Sequence, residues 1–285
     1  MSHPVKGVDH VFLLVNDLDK RRDDFARMGF TVSPRGMHSA HKGSANHTIM
    51  LQTDYFELLG LIAETPGNAD RRKTMAEWGE GLHAVACRID DAAEAEKGLA
   101  GVGIATRDLS DFSRPVPLPD GSEGVASFST LTFAPEETPL GLQFMCQHRT
   151  RDTVWMPELM SHANGAVALG GIVSGVDDPE GIAARFARNF AAGRTEAMEG
   201  GVRVETGPDS APLLVLSRAA LAARYAAFDM GGTAQGAHAA LMIRVEDAGK
   251  ARDAVSAGGF EIADTAEGFA VGPAEAGGAV IEFVA

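Results

Sequence analysis

Two histidines and one glutamate lie in apolar, strand-like runs and are the residues best suited to chemistry. His10 and His83 each open such a run, and Glu57 lies inside the run Tyr55–Leu61. An unpaired carboxylate is costly to bury there, so Glu57 requires a metal ion, an arginine or a polar cleft. Imidazole and carboxylate groups together suit acid–base catalysis or metal coordination. The alternatives are structural: histidines hydrogen-bonded within a core, and a glutamate that faces solvent.

The elements that must position these residues follow one pattern, which occurs four times. Each copy begins with an apolar run, and these runs open near Gly7, Gly81, Ala166 and Gly236. An aspartate stands where each run gives way to helical spacing and is expected to cap the helix; these are Asp17, Asp90, Asp178 and Asp247. Glycine and then strand-rich sequence follow each helix. Such repetition predicts one βαβββ module per copy.

Four βαβββ modules predict an α+β fold in which two tandem domains have curled mixed sheets. We expect residues 1–149 to form the first domain, 150–165 a linker and 166–285 the second domain, because the intervening stretch is loop-like. A chain of 285 residues is long enough for two ordinary cores. Two paired modules can curl around a shared cleft, where residues at matching positions converge.

Charge and cysteine content limit the partners and the compartment. The formal net charge of −14 argues against nucleic acid and anionic membranes, so a small molecule is the expected partner. Cys87 and Cys146 lie in apolar runs and form no disulfide framework or redox motif. Without a signal-like or membrane-spanning segment, a cytoplasmic protein is expected, as a monomer or homodimer. Dinucleotide-binding, Walker-type and nucleophile-elbow motifs do not occur in the sequence.

Several short stretches resemble the glyoxalase-like branch of the vicinal-oxygen-chelate superfamily. They are Asp9-His10, Ala45-Asn-His-Thr48, Tyr55-Phe-Glu-Leu-Leu-Gly60, Cys146-Gln-His148 and His162-Ala-Asn-Gly-Ala166. The resemblance is specific in the first half and rests mainly on repeat architecture in the second. Family members place metal ligands at the start of the first strand and near the end of the last strand in each of two modules.

Carried over to this chain, the resemblance implies a metal site made of His10, Glu57, His83 and Gln143. Nitrogen and oxygen donors of this kind suit a divalent ion such as zinc, nickel, cobalt, manganese or iron(II). Glu57 is then the expected proton-transfer residue. Gln143 departs from a position that is often acidic in the family, which puts a two-base isomerase in doubt. Its structural alternative is an amide on an exposed strand face.

Other polar residues receive weaker expectations. His47 follows a glycine-containing loop, from which it could contact substrate at the cleft mouth or simply cap the loop. His148 and His162 are expected to fix the junction between the halves. In the second half the matching ligand positions are Leu169, Leu214, His238 and Glu282, of which only two can coordinate. The second domain is therefore expected to act as a scaffold or lid.

The resemblance leaves three functions open. The first is a metal-dependent lyase, isomerase or epimerase that acts on a small oxygen-chelating substrate in the N-terminal cleft. The second is a metal-free protein that binds or sequesters a small molecule in the same cleft. An extradiol-type dioxygenase comes third, because Leu169 replaces the first histidine that such a site requires.

Overall fold

The computed structural model of the chain describes residues 2–118, 121–234 and 236–285. The first half contains strands β1 (Val8–Val15), β2 (Gly36–Met37), β3 (Ser44–Met50), β4 (Tyr55–Leu61), β5 (Gly81–Arg88), β6 (Thr106–Pro117), β7 (Glu123–Phe133) and β8 (Leu142–His148). Its helices are α1 (Leu18–Arg27), α2 (Ala69–Trp78) and α3 (Ala92–Gly101).

The second half repeats this order of elements. Its strands are β9 (Ala166–Val176), β10 (Arg194–Met198), β11 (Gly201–Glu205), β12 (Leu213–Ser217), β13 (Ala240–Val245), β14 (Ile262–Asp264), β15 (Gly268–Val271) and β16 (Val280–Val284). Its helices are α4 (Pro179–Arg188), α5 (Arg218–Arg224) and α6 (Ala248–Ala257). Four βαβββ modules are thus present in the described residues, and the predicted fold class is confirmed. Helices α2 and α5 join the paired modules and were not predicted.

Three of the four predicted helix caps are confirmed. The side chains of Asp17, Asp178 and Asp247 each accept a hydrogen bond from a backbone N–H in the first turn of the helix that follows. The prediction of Asp90 was wrong by one residue, because Asp91 accepts the bond from the backbone of α3. Asp90 instead forms an ion pair with Lys6.

Each half builds one eight-stranded mixed sheet around two central antiparallel strands. The strand order in the first sheet is β2-β3-β4-β1-β5-β8-β7-β6, and the second sheet has the corresponding order. Strand β1 pairs parallel with β4 and antiparallel with β5, while β5 pairs parallel with β8. The two modules of a sheet are therefore related by approximate two-fold symmetry, which defines the matching positions in a cleft.

One hydrophobic core is shared by the two sheets and by helices α1, α3, α4 and α6. Phe30 stacks on Phe283 of the other half at 5.8 Å between ring centroids, for example. Between the sheets, the connecting segment contains two short 3-10 turns, Arg151–Thr153 and Pro157–Leu159. In the described residues, no helix is both long and apolar enough to cross a membrane.

Candidate active site

A cavity of about 250 Å³ lies on the face of the first sheet that is turned away from the shared core. Strand alternation produces this arrangement, because successive side chains point to opposite faces. In β1, His10 and Phe12 line the cavity, whereas Val11 and Leu13 belong to the core. The same alternation places Glu57 of β4 in the cavity wall.

His10 is held in one orientation by its neighbours. Its Nδ1 lies 2.8 Å from Oδ1 of Asp9, and its ring stacks on Tyr55 with centroids 4.3 Å apart. Adjacent strand residues normally face opposite sides, but a register shift between Val8 and His10 makes Asp9 the bulged residue. The bulge allows the Asp9 carboxylate to reach its own neighbour. Since a carboxylate only accepts hydrogen bonds, Nδ1 carries the proton and Nε2 faces the cavity.

Asp9 is buried and remains ionised because two histidines donate to it. Burial opposes ionisation, but hydrogen bonds from His10 and from Nε2 of His148, at 2.9 Å, lower the pKa of Asp9 well below its usual range. His148 therefore supports the candidate site through Asp9, while its ring packs on Trp155 of the connecting segment with centroids 4.9 Å apart, and its role at the junction stays a prediction. His162 does bridge the linker and the first half, through Thr31 N and Met50 O.

Glu57 faces His10 across the wall of the cavity. Its Oε1 lies 3.6 Å from Nε2 of His10, and its Oε2 accepts a hydrogen bond from the amide of Asn46. This separation is longer than a hydrogen bond, so the imidazole and the carboxylate lie side by side in the cavity wall and both face the space that a substrate would occupy. The structure therefore brings together two of the four residues of the predicted metal site.

His83 and Gln143 do not lie with this pair. Gln143 alternates with Leu142 and Phe144, which line the cavity, so its own side chain points into the core. There it accepts a hydrogen bond from Asn189 at 2.8 Å and approaches Cys87 Sγ at 3.4 Å. The predicted ligand role of Gln143 therefore has no geometric support.

His83 occupies the position that matches Asp9 rather than His10. Strand β5 has a register shift between the partners of Phe12 and Leu13, which makes His83 the bulged residue. Its Nε2 donates to the carbonyl of Gly79 at 2.8 Å. Ala84 matches His10, because each is the third residue after the glycine that opens its module. The strand pairing agrees with this count.

His47 does not contact the cavity either. It lies between Asn46 and Thr48, both of which line the cavity, and therefore points to the other face of β3. Its Nδ1 hydrogen-bonds the carbonyl of Ser33 at 2.8 Å, and burial lowers its pKa. The sequence did indicate polar residues in this region, but the alternation decides which of them reach the cavity.

The sequence analysis missed several groups that line the cavity: His38, His41, Lys42, Arg71 and Arg114. They come from the loop before β3, from α2 and from the edge strand β6. Their approach depends on how the sheet curls and on the position of α2, neither of which leaves a residue pattern in the sequence. The adjacency of Asp9 and His10 was visible, but the bulge that lets them interact was not.

The comparisons with known proteins place this architecture in a family. The model of the glyoxalase-like domain family matches residues 8–190, which is more than half of the chain. The chain belongs to the glyoxalase-like domain family. The resemblance inferred from the sequence is thereby confirmed. No curated protein sequence matches this glyoxalase-like protein.

Solved structures with the same fold are distant in sequence. A hypothetical protein from Staphylococcus aureus has a TM-score of 0.66 at 11% identity, with 97% of this chain and 98% of that chain covered. A variant of homoprotocatechuate 2,3-dioxygenase from B. fuscum has a TM-score of 0.57 at 13% identity, with 100% and 72% covered. A xylose isomerase-like TIM barrel/4-hydroxyphenylpyruvate dioxygenase fusion protein has a TM-score of 0.55 at 13% identity, with 92% and 40% covered. At these identities the likeness shows the fold alone.

The donors present in the glyoxalase-like protein do not fit the four-ligand metal site that the resemblance implied. By the approximate symmetry of the first sheet, Ala84 matches His10, and Phe144 matches Glu57. Neither alanine nor phenylalanine can coordinate an ion. Two of the four implied positions therefore hold donors that face the cavity, fewer than the three or four that a resident zinc ion takes from the protein.

A different group of potential ligands lies beside His10. Ligand atoms of Asp9, His10, Cys146 and His148 are all within 4.8 Å of one another, and this mixture of donors suits zinc by type. However, Asp9 Oδ1 is already shared by both imidazoles, and burial raises the pKa of the Cys146 thiol well above its usual value. An ion could bind only by displacing these protons.

The second cleft of the glyoxalase-like protein does not bring its two candidate ligands together. His238 is buried and its Nδ1 lies 2.7 Å from Ser174 Oγ. Glu282 is fully buried and forms an ion pair with Arg224 at 3.0 Å. Leu221 and other apolar residues in and after α5 pack against the concave face of the second sheet. Helix α5 thus fills the space that remains open in the first half.

Proposed function

We propose that the chain is an enzyme that moves a proton at a carbon atom of a small, oxygen-rich substrate in the N-terminal cavity. This is chemistry of the lyase, isomerase or epimerase type. The observation that carries the proposal is the arrangement of His10 Nε2 and Glu57 Oε1, 3.6 Å apart in the wall of a cavity. We call these two residues the proton-transfer pair.

Asp9 prepares His10 for this role as a positioning residue. Its carboxylate accepts the proton on Nδ1, so the lone pair of Nε2 points toward the substrate. When Nε2 takes a proton from carbon, the electron pair of the broken C–H bond moves into the adjacent carbonyl and gives an enolate. The imidazolium that results is stabilised by the buried negative charge of Asp9.

Glu57 supplies a second site for the proton. Asn46 holds one of its carboxylate oxygens, and the other remains directed at His10. The imidazolium can return the proton to the same carbon, which restores the substrate. It can instead pass the proton to the neighbouring Glu57 carboxylate, and the resulting glutamic acid then delivers it to another atom of the enolate, which gives the isomer. This preserves the role predicted for Glu57, now with His10 as its partner. No step requires a metal ion.

The test is proton exchange at carbon. A panel of 2-oxo acids and 1,3-dicarbonyl compounds in D2O would be followed by proton NMR with the full chain. We expect wild type to accelerate loss of at least one C–H signal, and His10→Gln and Glu57→Gln to lower that rate by about 100-fold or more, the lower range for a general base. Glu64→Gln is the matched control, because Glu64 is exposed and its one ion-pair partner within the described residues is Arg72. Equal rates in all four proteins would refute the proposal.

A second candidate function is metal-free binding of a small molecule without turnover. It is favoured by the aromatic part of the cavity wall, formed by Phe12, Phe112, Phe128 and Phe144. Tight binding of a probe that undergoes no exchange would support it over catalysis. The extradiol-type oxygenase remains third, and failure to consume oxygen with any catechol would remove it. Because the chain has a formal net charge of −14, we propose no nucleic-acid partner for it.

A further inference from the structure

Three cationic side chains line the cavity, although the protein as a whole is acidic. Lys42 comes from the loop before β3, Arg71 from α2 and Arg114 from β6, and all three line the cavity. Segments far apart in sequence therefore contribute the same charge to one small space. The formal net charge of the chain is −14, so this cluster of positive charge differs from the average charge of the chain.

These cations have no carboxylate partner of their own. Among residues 2–118, 121–234 and 236–285, no ion pair or hydrogen bond is formed by the side chain of Lys42, Arg71 or Arg114. Lys42 Nζ lies instead over the ring of Phe112 at 3.8 Å, and the Arg71 guanidinium lies 5.4 Å from the ring of Phe12.

Arg72, the next residue on α2, provides a comparison, because its side chain has an ion-pair partner. It is well exposed and forms an ion pair with Glu64 at 3.0 Å. Arg71 is turned the other way, into the cavity. The residue is half-buried, and burial lowers the pKa of its guanidinium while the Glu57 carboxylate raises it. A cation in such a place is costly without a counter-charge.

The charge balance of the cavity is positive. Glu57 is the acidic residue in its described lining, against the three cations. Burial and the nearby Lys42, Arg114 and Arg71 lower the pKa of His38 to about 4, while Glu57 raises it, so that imidazole is neutral at pH 7. Burial and Arg71 also lower the pKa of Lys42. Three positive charges against one negative charge leave two positive charges without a counter-charge in the described lining.

We propose that the substrate is a compact amphipathic anion, whose carboxylate or phosphate group is held by Arg71, Lys42 and Arg114. Its apolar part lies against the phenylalanine side of the same cavity. The inference rests on the proposed function only in taking this cavity as the substrate site. At about 30 Å³ per water molecule, a volume of about 250 Å³ has room for roughly eight waters, so the bound part is small.

The anion and the proton-transfer pair are complementary. An anionic group fixed by the cations orients the rest of the molecule, so that its acidic carbon can lie against His10 and Glu57. The same positive charges favour the enolate over its keto precursor, because negative charge develops on oxygen in that step. The cations therefore serve both recognition and the reaction.

The first test is binding by isothermal titration calorimetry with three probes of one shape: benzoate, phenylphosphonate and neutral benzyl alcohol. We expect at least one anion to bind wild type at least tenfold more tightly than the alcohol, and the better anion tells carboxylate from phosphate. Arg71→Gln should weaken that anion at least tenfold, about 1.4 kcal/mol. Arg72→Gln, the matched control, should bind as wild type does. Equal binding of the alcohol, or unchanged affinity in Arg71→Gln, would overturn the proposal.

Thermal unfolding of the same proteins shows whether a variant has simply failed to fold. Without ligand, Arg71→Gln should melt at the same temperature as wild type or higher, since a half-buried cation that has no ion-pair partner in the described residues is removed. The anion should raise the melting temperature of wild type and of Arg72→Gln, but not of Arg71→Gln. A lower melting temperature in ligand-free Arg71→Gln would mean that Arg71 is structural and would refute the assigned role.

Binding and turnover can fail separately. Anion binding that survives in His10→Gln, with no proton exchange in any protein, would leave the inference standing and remove the proposed function. Exchange of a neutral dicarbonyl compound, with no anion bound, would do the reverse.

Discussion

Asp54 lies at the junction of the two sheets, and replacing it with asparagine gives a quantitative test of the structure. The carboxyl is buried, and its Oδ1 accepts a hydrogen bond from the backbone N–H of Leu169 at 3.0 Å. Burial raises the pKa of Asp54 to about 7; Asp9 raises it further, while Leu169, Arg88 and Arg244 lower it. An asparagine oxygen at this position can still accept the hydrogen bond.

The sign follows from proton linkage. The folded pKa of about 7 exceeds the unfolded value of 3.8, so the folded state binds the extra proton between these values. Asp54 therefore lowers the free energy of unfolding progressively as pH rises from about 4 to about 7, and uniformly above that. At about 1.36 kcal/mol per pKa unit, the change between pH 5 and pH 8 is about 2 to 3 kcal/mol.

Urea unfolding of wild type and Asp54→Asn at pH 5 and pH 8 measures this difference. Subtracting the two proteins at each pH removes the titration of all other groups, provided that the unfolding is two-state. We expect the stability of Asp54→Asn relative to wild type to increase by about 2 kcal/mol from pH 5 to pH 8. A relative stability that is constant with pH, or that falls, would refute the assignment of a raised pKa to the buried carboxyl of Asp54.

Three further predictions test other parts of the structure. Glu282→Gln breaks the buried pair with Arg224 and should lower the free energy of unfolding by about 3 to 5 kcal/mol, measured in urea; a change below about 1 kcal/mol would contradict the pairing. Gly36→Ala would place a Cβ 2.5 Å from Oδ1 of Asn46 and 2.9 Å from Nη1 of Arg114; because both atoms are ends of side chains that can shift, we expect weaker anion binding in calorimetry and a melting temperature near that of wild type. Elemental analysis of protein purified without a His-tag or chelator should find no stoichiometric metal that is lost on alanine substitution of both members of the proton-transfer pair. One equivalent lost in that variant would restore the metal-dependent reading.

The fold was predictable because its signals are local and repeated. Aspartate caps, glycine stops and apolar runs recur in four copies, and each copy independently supports the same module. A single cap can still be misplaced by one residue, as Asp90 was, because Asp91 offers the same side chain. Local chemistry does not tell the two apart, whereas the packing of α3 against the sheet does.

The candidate site was less predictable, because one residue decides which face of a strand a side chain occupies. Glu57 was predicted in the correct face, whereas Gln143 has the same apparent context and points into the core. His83 was matched to His10 by residue type, although counting from Gly81 shows that Ala84 is its true counterpart. The count could have been made from the sequence, but the bulge that explains why it is the right one is visible only in the strand register.

The two halves of the chain show how one scaffold supports a site and a closed core. In both halves a helix joins the paired modules and carries an arginine toward the concave face of the sheet. In the second half, Arg224 meets Glu282, which also accepts a hydrogen bond from Tyr225 at 2.7 Å, so the charge is satisfied within the protein. In the first half, Arg71 has no such acceptor in the part of the chain that the structure describes, and the cavity remains open. The half-buried arginine is therefore paired by the chain itself in the second cleft, whereas in the first cleft a ligand would supply the counter-charge.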